Sequence, residues 1–390
     1  MLDLPPPEAD ALEQSARLTA LIGAGIAAAG GWIPFYRYME LALYAPGLGY
    51  YSGGARKFGA EGDFITAPGL TPLFGQALAA QLEEVMRAST REVLETGAGD
   101  GRLAVDLLCE LEARNCLPER YGILELSAEL RMRQRETLLR HAPRLAARVH
   151  WLDTLPETFS GVVLANEALD AMPLHAITAR DGGIFERGVS LAAAGAARAF
   201  AWEERPARGA VLDAARRLPL PPDEDGGYMT EINLAAAAWI SAWGERLRQG
   251  ALLLIDYGYP RDEFYLPSRA RGTLMCHYRH RAHGDPFLWP GLADITGSVD
   301  FTAMAEAGFD AGLDVLGYTS QGQFLLNCGL LDCLARRGPQ DSAGYLRAAA
   351  AVQKLTLPRE MGELFKVLAL GRGIGDRLSG FARGDRCHAL

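Results

Sequence analysis

A glycine-rich turn between an apolar run and a helical segment constrains the fold of this chain most. Residues 93–102 have the sequence VLETGAGDGR, in which an apolar run leads into Gly97, Gly99 and Gly101. An apolar strand that ends in such a turn before a helix is how α/β proteins present their backbone to a nucleotide-like ligand. The sequence therefore predicts an α/β, Rossmann-like fold with a ligand at this turn.

Two details of the turn indicate which ligand it takes. A dinucleotide-binding turn needs a small residue five positions after its first glycine, and that position holds Arg102. The preceding Glu95 would repel phosphate and attract an ammonium or sulfonium group. Both details favour S-adenosylmethionine. Two alternatives stay open from the residues alone, a nicotinamide-dependent oxidoreductase and a strand-to-helix turn without a ligand.

A second acidic residue follows the next predicted strand. Residues 121–125 read YGILE, and Glu125 is placed to accept hydrogen bonds from a pair of ribose hydroxyls. Between the turn and this strand, four leucines at positions 103, 107, 108 and 111 recur at helical spacing. The sequence therefore predicts one complete β-α-β unit.

The composition excludes several classes of protein. With 390 residues, 49% of them hydrophobic and 22% charged, the chain is typical of globular proteins. A net charge of −9 without any basic run argues against nucleic acid as a partner. The six cysteines form no zinc-binding pattern and are expected to be free thiols in a reducing cytoplasm, so no metal is predicted. The apolar segment 18–31 is short and lacks a basic flank, which predicts a packed helix and no membrane insertion.

The predicted elements alternate between strands and helices over much of the chain. Strands are expected at residues 92–95, 121–126, 149–152, 161–165, 251–255 and 365–370, and helices at residues 11–29, 36–43, 103–111 and 231–248. Polar strand-like pieces at 177–179, 184–189 and 199–204 indicate an insertion. We divide the chain into an N-terminal helical and lid segment (1–90), a cofactor-binding half (91–172), an inserted β-rich subdomain (173–245), and the rest of the core with a C-terminal wrap (246–390). Residues 47–68, rich in glycine and aromatic residues, are expected to order over a ligand or to pack on their own domain.

Candidate acceptor-site residues follow the predicted strand 161–165. Asn166, Glu167 and Asp170 lie where an α/β sheet binds its ligand, at the carboxyl ends of the strands. A helix N-terminus with a solvated Asp170 is the alternative. Asp256 follows the strand 251–255 in the same way, and Asp294 adds a further carboxylate or caps a helix.

The chain resembles a known family through motifs that keep their order along the sequence. These are YMELALY (38–44), GYY (49–51), GDFITAP (62–68), LFG (73–75), the glycine turn, ANE (165–167), LIDYG (254–258), DIT (294–296), VDF (299–301) and MGELFKV (361–367). From about residue 31 to residue 366 the chain resembles the MidA family, whose mitochondrial members are arginine methyltransferases needed for respiratory complex I assembly. It departs from the family's usual residues at Thr96, Ala98 and Ser298.

The resemblance implies a class I methyltransferase fold with a mostly parallel seven-stranded sheet, bound S-adenosylmethionine and a protein arginine as the methyl acceptor. The acceptor protein would be a complex I subunit. A bacterial member would act in the cytoplasm, as its mitochondrial relatives act in the matrix. The resemblance is compatible with homo-oligomers. A non-catalytic assembly factor that keeps the cofactor pocket is the alternative.

The resemblance also assigns roles to residues. Glu95, Gly97 and Gly99 would face the methionine part of the cofactor, Glu125 the ribose and Asp153 the adenine, with Leu126 and Asn166 completing the cofactor site. The chemistry of an arginine acceptor, and not the resemblance, leads us to expect Glu167, Asp170 and Asn166 to be catalytic, because carboxylates hold a guanidinium in a planar fork. The residues expected to bind the substrate are Tyr50, Tyr51, Asp63, Thr66 and Asp294.

Overall fold

The computed structural model describes residues 4–53, 66–221, 227–340, 342–375 and 377–390. The chain forms two compact units, each assembled from three separate segments. The first unit contains Met1–Phe64, Asp170–Ala236 and Pro260–Asp300, and the second contains Ile65–Leu169, Ala237–Tyr259 and Phe301–Leu390. The division into four segments made from the sequence stays a prediction.

The described residues contain α-helices, short 3-10 helices and strands. The helices are α1 (Ala9–Ala28), α2 (Phe35–Tyr44), α3 (Ala67–Leu70), α4 (Leu73–Ala88), α5 (Arg102–Ala113), α6 (Ala128–His141), α7 (Gly209–Ala215), α8 (Leu234–Arg246), α9 (Arg261–Phe264), α10 (Phe301–Asp310), α11 (Gln321–Asn327), α12 (Leu330–Ala335), α13 (Ala343–Thr356) and α14 (Met361–Leu364). The strands are β1 (Trp32–Pro34), β2 (Glu92–Thr96), β3 (Arg120–Leu124), β4 (Val149–Leu152), β5 (Phe159–Asn166), β6 (His175–Arg180), β7 (Gly183–Leu191), β8 (Phe200–Pro206), β9 (Tyr228–Ile232), β10 (Leu247–Tyr259), β11 (Met275–Tyr278), β12 (Arg281–His283), β13 (Asp294–Thr296), β14 (Val299–Asp300), β15 (Asp314–Ser320) and β16 (Phe365–Arg372). The 3-10 helices are Ala146–Arg148, Pro267–Arg269, Ser379–Phe381 and Cys387–Ala389.

The sheet of the second unit carries the predicted ligand turn. Its strands lie in the order β15-β16-β10-β5-β2-β3-β4. Strands β10, β5, β2, β3 and β4 run parallel, and β16 is antiparallel to both of its neighbours. This arrangement confirms the predicted mostly parallel sheet. The order of strands along the chain reverses between β2 and β5, and α/β sheets bind ligands at the carboxyl ends of the strands beside such a reversal.

The central strands are continuous apolar runs. Val162–Leu164 in β5 and Leu252–Leu254 in β10 are fully buried, as expected of parallel strands that are covered on both faces. Helix α5 buries Leu103, Leu107, Leu108 and Leu111 and packs on α4. The predicted β-α-β unit is therefore confirmed.

The first unit contains two antiparallel sheets. One has the strand order β1-β7-β6-β9, with β8 paired to β7, and the other has the order β12-β11-β13. Strands β6, β7 and β8 correspond to the three pieces predicted for the insertion. The apolar N-terminal segment lies in α1, which buries Leu18, Ile22 and Ile26. Within the described ranges, no helix has both the length and the apolar character that a membrane crossing requires.

The predicted helix 231–248 is wrong at both of its ends. Residues up to Ile232 belong to β9, which pairs with β6, and residues from Leu247 onward belong to β10. The helix between them begins after Asn233, whose Oδ1 accepts a hydrogen bond from the Ala236 backbone N–H (2.9 Å). This side chain sets the helix start, and the apolar periodicity alone did not reveal it.

Candidate active site

The turn after β2 is built from three glycines in left-handed backbone conformations. The φ angles of Gly97, Gly99 and Gly101 are 70°, 53° and 83°, values that side chains with a Cβ disfavour. A Cβ on Gly97 would lie 3.2 Å from the Cβ of Ala168. The turn leads directly into α5, and the N-terminus of a helix offers backbone N–H groups to a ligand. The glycines therefore keep the backbone of the turn open to a ligand.

Glu95 lies one residue before the end of β2 and is almost completely buried. Its Oε2 accepts a hydrogen bond from the Tyr121 hydroxyl at 2.6 Å. Burial raises the pKa of the Glu95 carboxyl to about 7, although the Tyr121 hydrogen bond acts in the opposite direction. A cationic ligand would therefore stabilise the ionised form of Glu95.

Glu125 follows β3 and is also buried. Its Oε1 accepts a hydrogen bond from the Ser127 backbone N–H (2.9 Å), and its Oε2 accepts one from Gln134 Nε2 (3.1 Å). Burial raises the pKa of Glu125, and these two hydrogen bonds oppose the shift. The carboxylate is thus held in one orientation beside the turn, and it keeps lone pairs for hydroxyl donors.

Gln134 forms hydrogen bonds with both the glycine turn and Glu125. It was not predicted from the sequence. Its Nε2 also donates to the Gly99 carbonyl (3.0 Å), and its Oε1 accepts from Trp151 Nε1 (2.8 Å). On α6 it lies between Leu130 and Leu138, and these three are the buried residues of the helix. A single glutamine between two leucines at i, i+4 and i+8 spacing is the sequence pattern that indicates such a buried polar residue.

Two further residues expected in the cofactor site, Leu126 and Asp153, lie on the surface. Leu126 is 79% exposed. Asp153 is exposed and accepts a hydrogen bond from Arg131 Nη2 (2.7 Å). Arg131 also donates to the backbone carbonyl of Glu125, so it fixes the chain on which Glu125 sits. The cofactor contacts of Leu126 and Asp153 stay predictions.

Asn166 and Glu167 stand at the carboxyl end of β5, next to β2. Asn166 Nδ2 donates to Glu167 Oε1 (3.2 Å), and the Ala67 backbone N–H donates to the same oxygen (3.3 Å). Asn166 Oδ1 and Thr96 Oγ1 are buried and have no hydrogen-bond partner within the described ranges. Glu167 has a φ of 51°, which is unusual for a residue with a side chain. Thr66 precedes Ala67 directly and is the N-cap residue of α3.

The other predicted acceptor residues belong to the first unit, except Asp63, which lies outside the described residues. Tyr51 donates from its hydroxyl to both carboxylate oxygens of the buried Asp294 (3.0 Å each). Burial and the Asp294 charge raise the pKa of Tyr51 well above its usual value. Tyr50 is buried and packs edge-on against the Tyr51 ring. Asp170 is buried, and its carbonyl accepts from the Gly297 N–H (3.1 Å).

The residues around the glycine turn fit S-adenosylmethionine. Glu95 and Glu125 supply carboxylates, while Thr96 and Asn166 leave buried oxygens that need a ligand's hydrogen-bond donors. In the part of the chain that the structure describes, no group of three or more His, Cys, Asp or Glu side chains is arranged to hold a metal ion.

Comparisons with known proteins identify the same cofactor. The family model described as S-adenosyl-L-methionine-dependent methyltransferase matches residues 73–319. A protein from Burkholderia thailandensis, solved with S-adenosyl-homocysteine bound, is 55% identical, with 100% of both chains covered and a TM-score of 0.95. A native structure from the same organism is 54% identical over 100% of both chains, with a TM-score of 0.92.

More distant relatives carry a more specific name. The "Protein arginine methyltransferase NDUFAF7 homolog, mitochondrial" of Drosophila melanogaster is 27% identical over 379 residues, which cover 88% of this chain and 82% of the relative. The human protein arginine methyltransferase NDUFAF7 is 26% identical over 374 residues, 87% of this chain and 80% of the relative. The predicted cofactor, fold class and family resemblance are thereby confirmed. The chain belongs to the family of S-adenosyl-L-methionine-dependent methyltransferases.

Proposed function

We propose that this methyltransferase transfers the methyl group to a guanidinium nitrogen of an arginine in a protein. The observation that carries the proposal is the pair at the end of β5. The Nδ2 of Asn166 is engaged by Glu167, so its buried Oδ1 is directed away as an acceptor without a partner among the described residues. The names of the mitochondrial relatives agree with an arginine acceptor.

The chemistry of this pair favours a cationic nitrogen over an oxygen acceptor. A carboxylate and an amide oxygen only accept hydrogen bonds, whereas a guanidinium offers five N–H donors and accepts none. Hydrogen bonds between charged partners are shorter and stronger than neutral ones. Glu167 and Asn166 would therefore orient one guanidinium nitrogen toward the methyl carbon and disfavour a hydroxyl acceptor, which has only one donor.

The proton balance defines the role of Glu167 further. Bound S-adenosylmethionine supplies a methyl group on a sulfonium, ready for in-line displacement. The arginine nitrogen forms the new N–CH3 bond as the S–CH3 bond breaks, and one N–H proton must leave. Removing that proton beforehand would cost at least about 7 kcal/mol at pH 7, because the pKa of arginine exceeds about 12. The proton therefore leaves during or after transfer, and Glu167 is the acceptor we assign to it.

A labelling experiment tests the proposal. Full-length protein is incubated with S-adenosylmethionine carrying a tritiated methyl group and a heat-treated protein extract from a strain that lacks the gene. Labelled protein is hydrolysed, and the methylated amino acid is identified. We expect methylarginine, reduced at least tenfold by Glu167→Gln. The matched control is Glu157→Gln, because Glu157 is an exposed carboxylate.

Other outcomes overturn the proposal. Label on lysine or on an oxygen would exclude the arginine acceptor, and equal labelling by Glu167→Gln would exclude the assigned role of Glu167. Bound cofactor without any labelled protein would favour the assembly factor that does not catalyse. Mass spectrometry of the labelled proteins would then test whether the acceptor is a complex I subunit, as the family resemblance predicts.

A further inference from the structure

We infer that Asp256 is a positioning residue for methyl transfer, which holds the turn from Asn166 to Leu169 and acts through Glu167. The inference rests on the proposed function in that Glu167 is taken to contact the acceptor. Asp256 lies near the end of β10, beside β5, and is completely buried.

The carboxylate of Asp256 binds the backbone of the turn directly. Its Oδ2 accepts hydrogen bonds from the N–H groups of Ala168 (3.2 Å) and Leu169 (2.9 Å). Its Oδ1 accepts from its neighbour Tyr257 N–H (2.9 Å). The preceding residue of the turn is also attached to this strand, because the N–H of Glu167 donates to the Ile255 carbonyl (2.8 Å). Three consecutive N–H groups of the turn are thus bound by two consecutive residues of β10.

The turn needs such an anchor because its conformation is unfavourable by itself. Glu167 has a φ of 51°, and left-handed backbone brings a Cβ too close to the following carbonyl. Past the end of β5, Ala168 and Leu169 no longer belong to the strand ladder, so their N–H groups, part-buried and buried respectively, require another acceptor. A charged acceptor forms stronger hydrogen bonds than a carbonyl. Asp256 therefore stabilises the backbone conformation that aims Glu167.

The neighbouring strand supplies a charge of opposite sign. Lys366 on β16 is directly opposite Asp256 in the antiparallel pair and is buried. Its Nζ lies 3.5 Å from Glu363 Oε1. Oppositely charged residues directly across a ladder stabilise each other. The register therefore places a buried cation on the strand next to Asp256.

The same turn also borders the cofactor loop. A Cβ on Gly97 would lie 3.2 Å from the Ala168 Cβ, and Ala168 is one of the two residues that Asp256 holds through Oδ2. The turn that carries Glu167 is therefore packed beside the cofactor loop.

A double-mutant cycle tests the inference. Rates are measured with tritiated S-adenosylmethionine and the protein extract described above, for Asp256→Asn, Glu167→Gln and the double variant. We expect Asp256→Asn to lower kcat at least tenfold and to change KM for S-adenosylmethionine less than threefold. The double variant should be no slower than Glu167→Gln alone, because residues that act through one another are not additive.

Glu110→Gln is the matched control. Glu110 is a buried acid of the same unit that pairs with Arg114 and Arg336. Its substitution should lower stability, leave kcat within about twofold and combine additively with Glu167→Gln. Fully multiplicative effects of Asp256→Asn and Glu167→Gln would overturn the inference.

Hydrogen exchange separates this inference from the proposed function. If Glu167→Gln leaves the rate unchanged, the role assigned to Glu167 in the proposed function fails. Faster amide exchange at Ala168 and Leu169 in Asp256→Asn, together with a lowered kcat, would then support a role of Asp256 in positioning the turn without action through Glu167, and unchanged exchange would overturn both. Should Asp256→Asn not fold, Asp256→Glu serves instead. It keeps the charge but moves the carboxylate by one methylene, and it should lower kcat with KM nearly unchanged.

Discussion

The Tyr121 hydroxyl donates a hydrogen bond of 2.6 Å to Glu95 Oε2 across the neighbouring strands β2 and β3. Both side chains are buried. Burial raises the pKa of Glu95 to about 7, and this hydrogen bond keeps it from rising further. The charge of Glu95 therefore changes within the physiological pH range.

Affinity for S-adenosylmethionine should rise with pH. Below pH 7 Glu95 is largely neutral in the free protein, while a cationic ligand favours the carboxylate, so binding must release a proton. We expect Kd to fall about tenfold between pH 6 and pH 8, because the ionised fraction of a group with this pKa rises about tenfold over that range. Isothermal titration calorimetry measures the change.

Glu95→Gln provides the control for this pH series. The pH dependence of Kd for this variant reports the titration of the ligand's own amino group but not that of Glu95. Parallel profiles for the two proteins would show that Glu95 does not titrate on binding.

Removing the Tyr121 hydroxyl should move this titration upward. Because the hydrogen bond stabilises the charged form of Glu95, Tyr121→Phe raises its pKa beyond about 7. The midpoint of the pH dependence of binding is expected to shift to higher pH, and the free energy of unfolding to fall by about 1–3 kcal/mol at neutral pH. Calorimetry and urea unfolding test both effects. An unshifted midpoint would mean that the hydroxyl does not control Glu95.

The parallel strands were predictable because burial on both faces requires continuous apolar runs. Residues 162–165 and 251–255 are such runs, and both lie inside observed strands. Strand β15 (Asp314–Ser320) was not predicted, because its apolar residues are interrupted by Gly317 and Thr319. Strand β1 has three residues, and it pairs with β7 from Gly188 to Ser190. Pairing between segments so distant along the chain leaves no local pattern.

The candidate site was predictable only where a local motif marks it. Glu95 and Glu125 stand at strand ends that the sequence reveals. The bond between Ala168 and Asp256 joins residues 88 positions apart, and the three contacts of Gln134 depend on how α6 meets the turn. Side-chain hydrogen bonds between distant segments have no periodicity, so one sequence does not disclose them.

Gly97→Ala should weaken cofactor binding, and Gly30→Ala provides its matched control. The φ angles are 70° and 79°, so each substitution places alanine in left-handed backbone and costs about 1–2 kcal/mol of stability. Only at Gly97 does the new Cβ meet a neighbour, because Gly30 has nothing within 4 Å. We expect similar losses in the free energy of unfolding, and at least a tenfold loss in affinity for S-adenosylmethionine at Gly97 alone. Equal affinities in the two variants would remove Gly97 from the cofactor site.

Gln134→Leu should raise KM for S-adenosylmethionine without lowering kcat. The substitution leaves the Gly99 carbonyl, one oxygen of Glu125 and Trp151 Nε1 without this partner. An unsatisfied buried polar group costs about 1–3 kcal/mol, and the loop and Glu125 both lose their fixed positions. Because these groups would contact parts of the cofactor that do not react, ground state and transition state lose the same binding energy, and kcat should stay within about twofold. We expect KM to rise at least tenfold in steady-state assays.

Gln81→Leu is the matched control for this prediction. Gln81 is a completely buried glutamine in the same unit, bound to Glu84 and to the Gly380 N–H. Its replacement removes a comparable set of hydrogen bonds, so it should lower the unfolding free energy by a similar amount. KM for S-adenosylmethionine should not change, because these partners belong to α4 and a C-terminal 3-10 helix and not to the glycine turn. A parallel rise in KM in both variants would trace the Gln134 effect to general destabilisation, whereas a fall in kcat at Gln134 with unchanged KM would move this residue from cofactor binding to the transfer step.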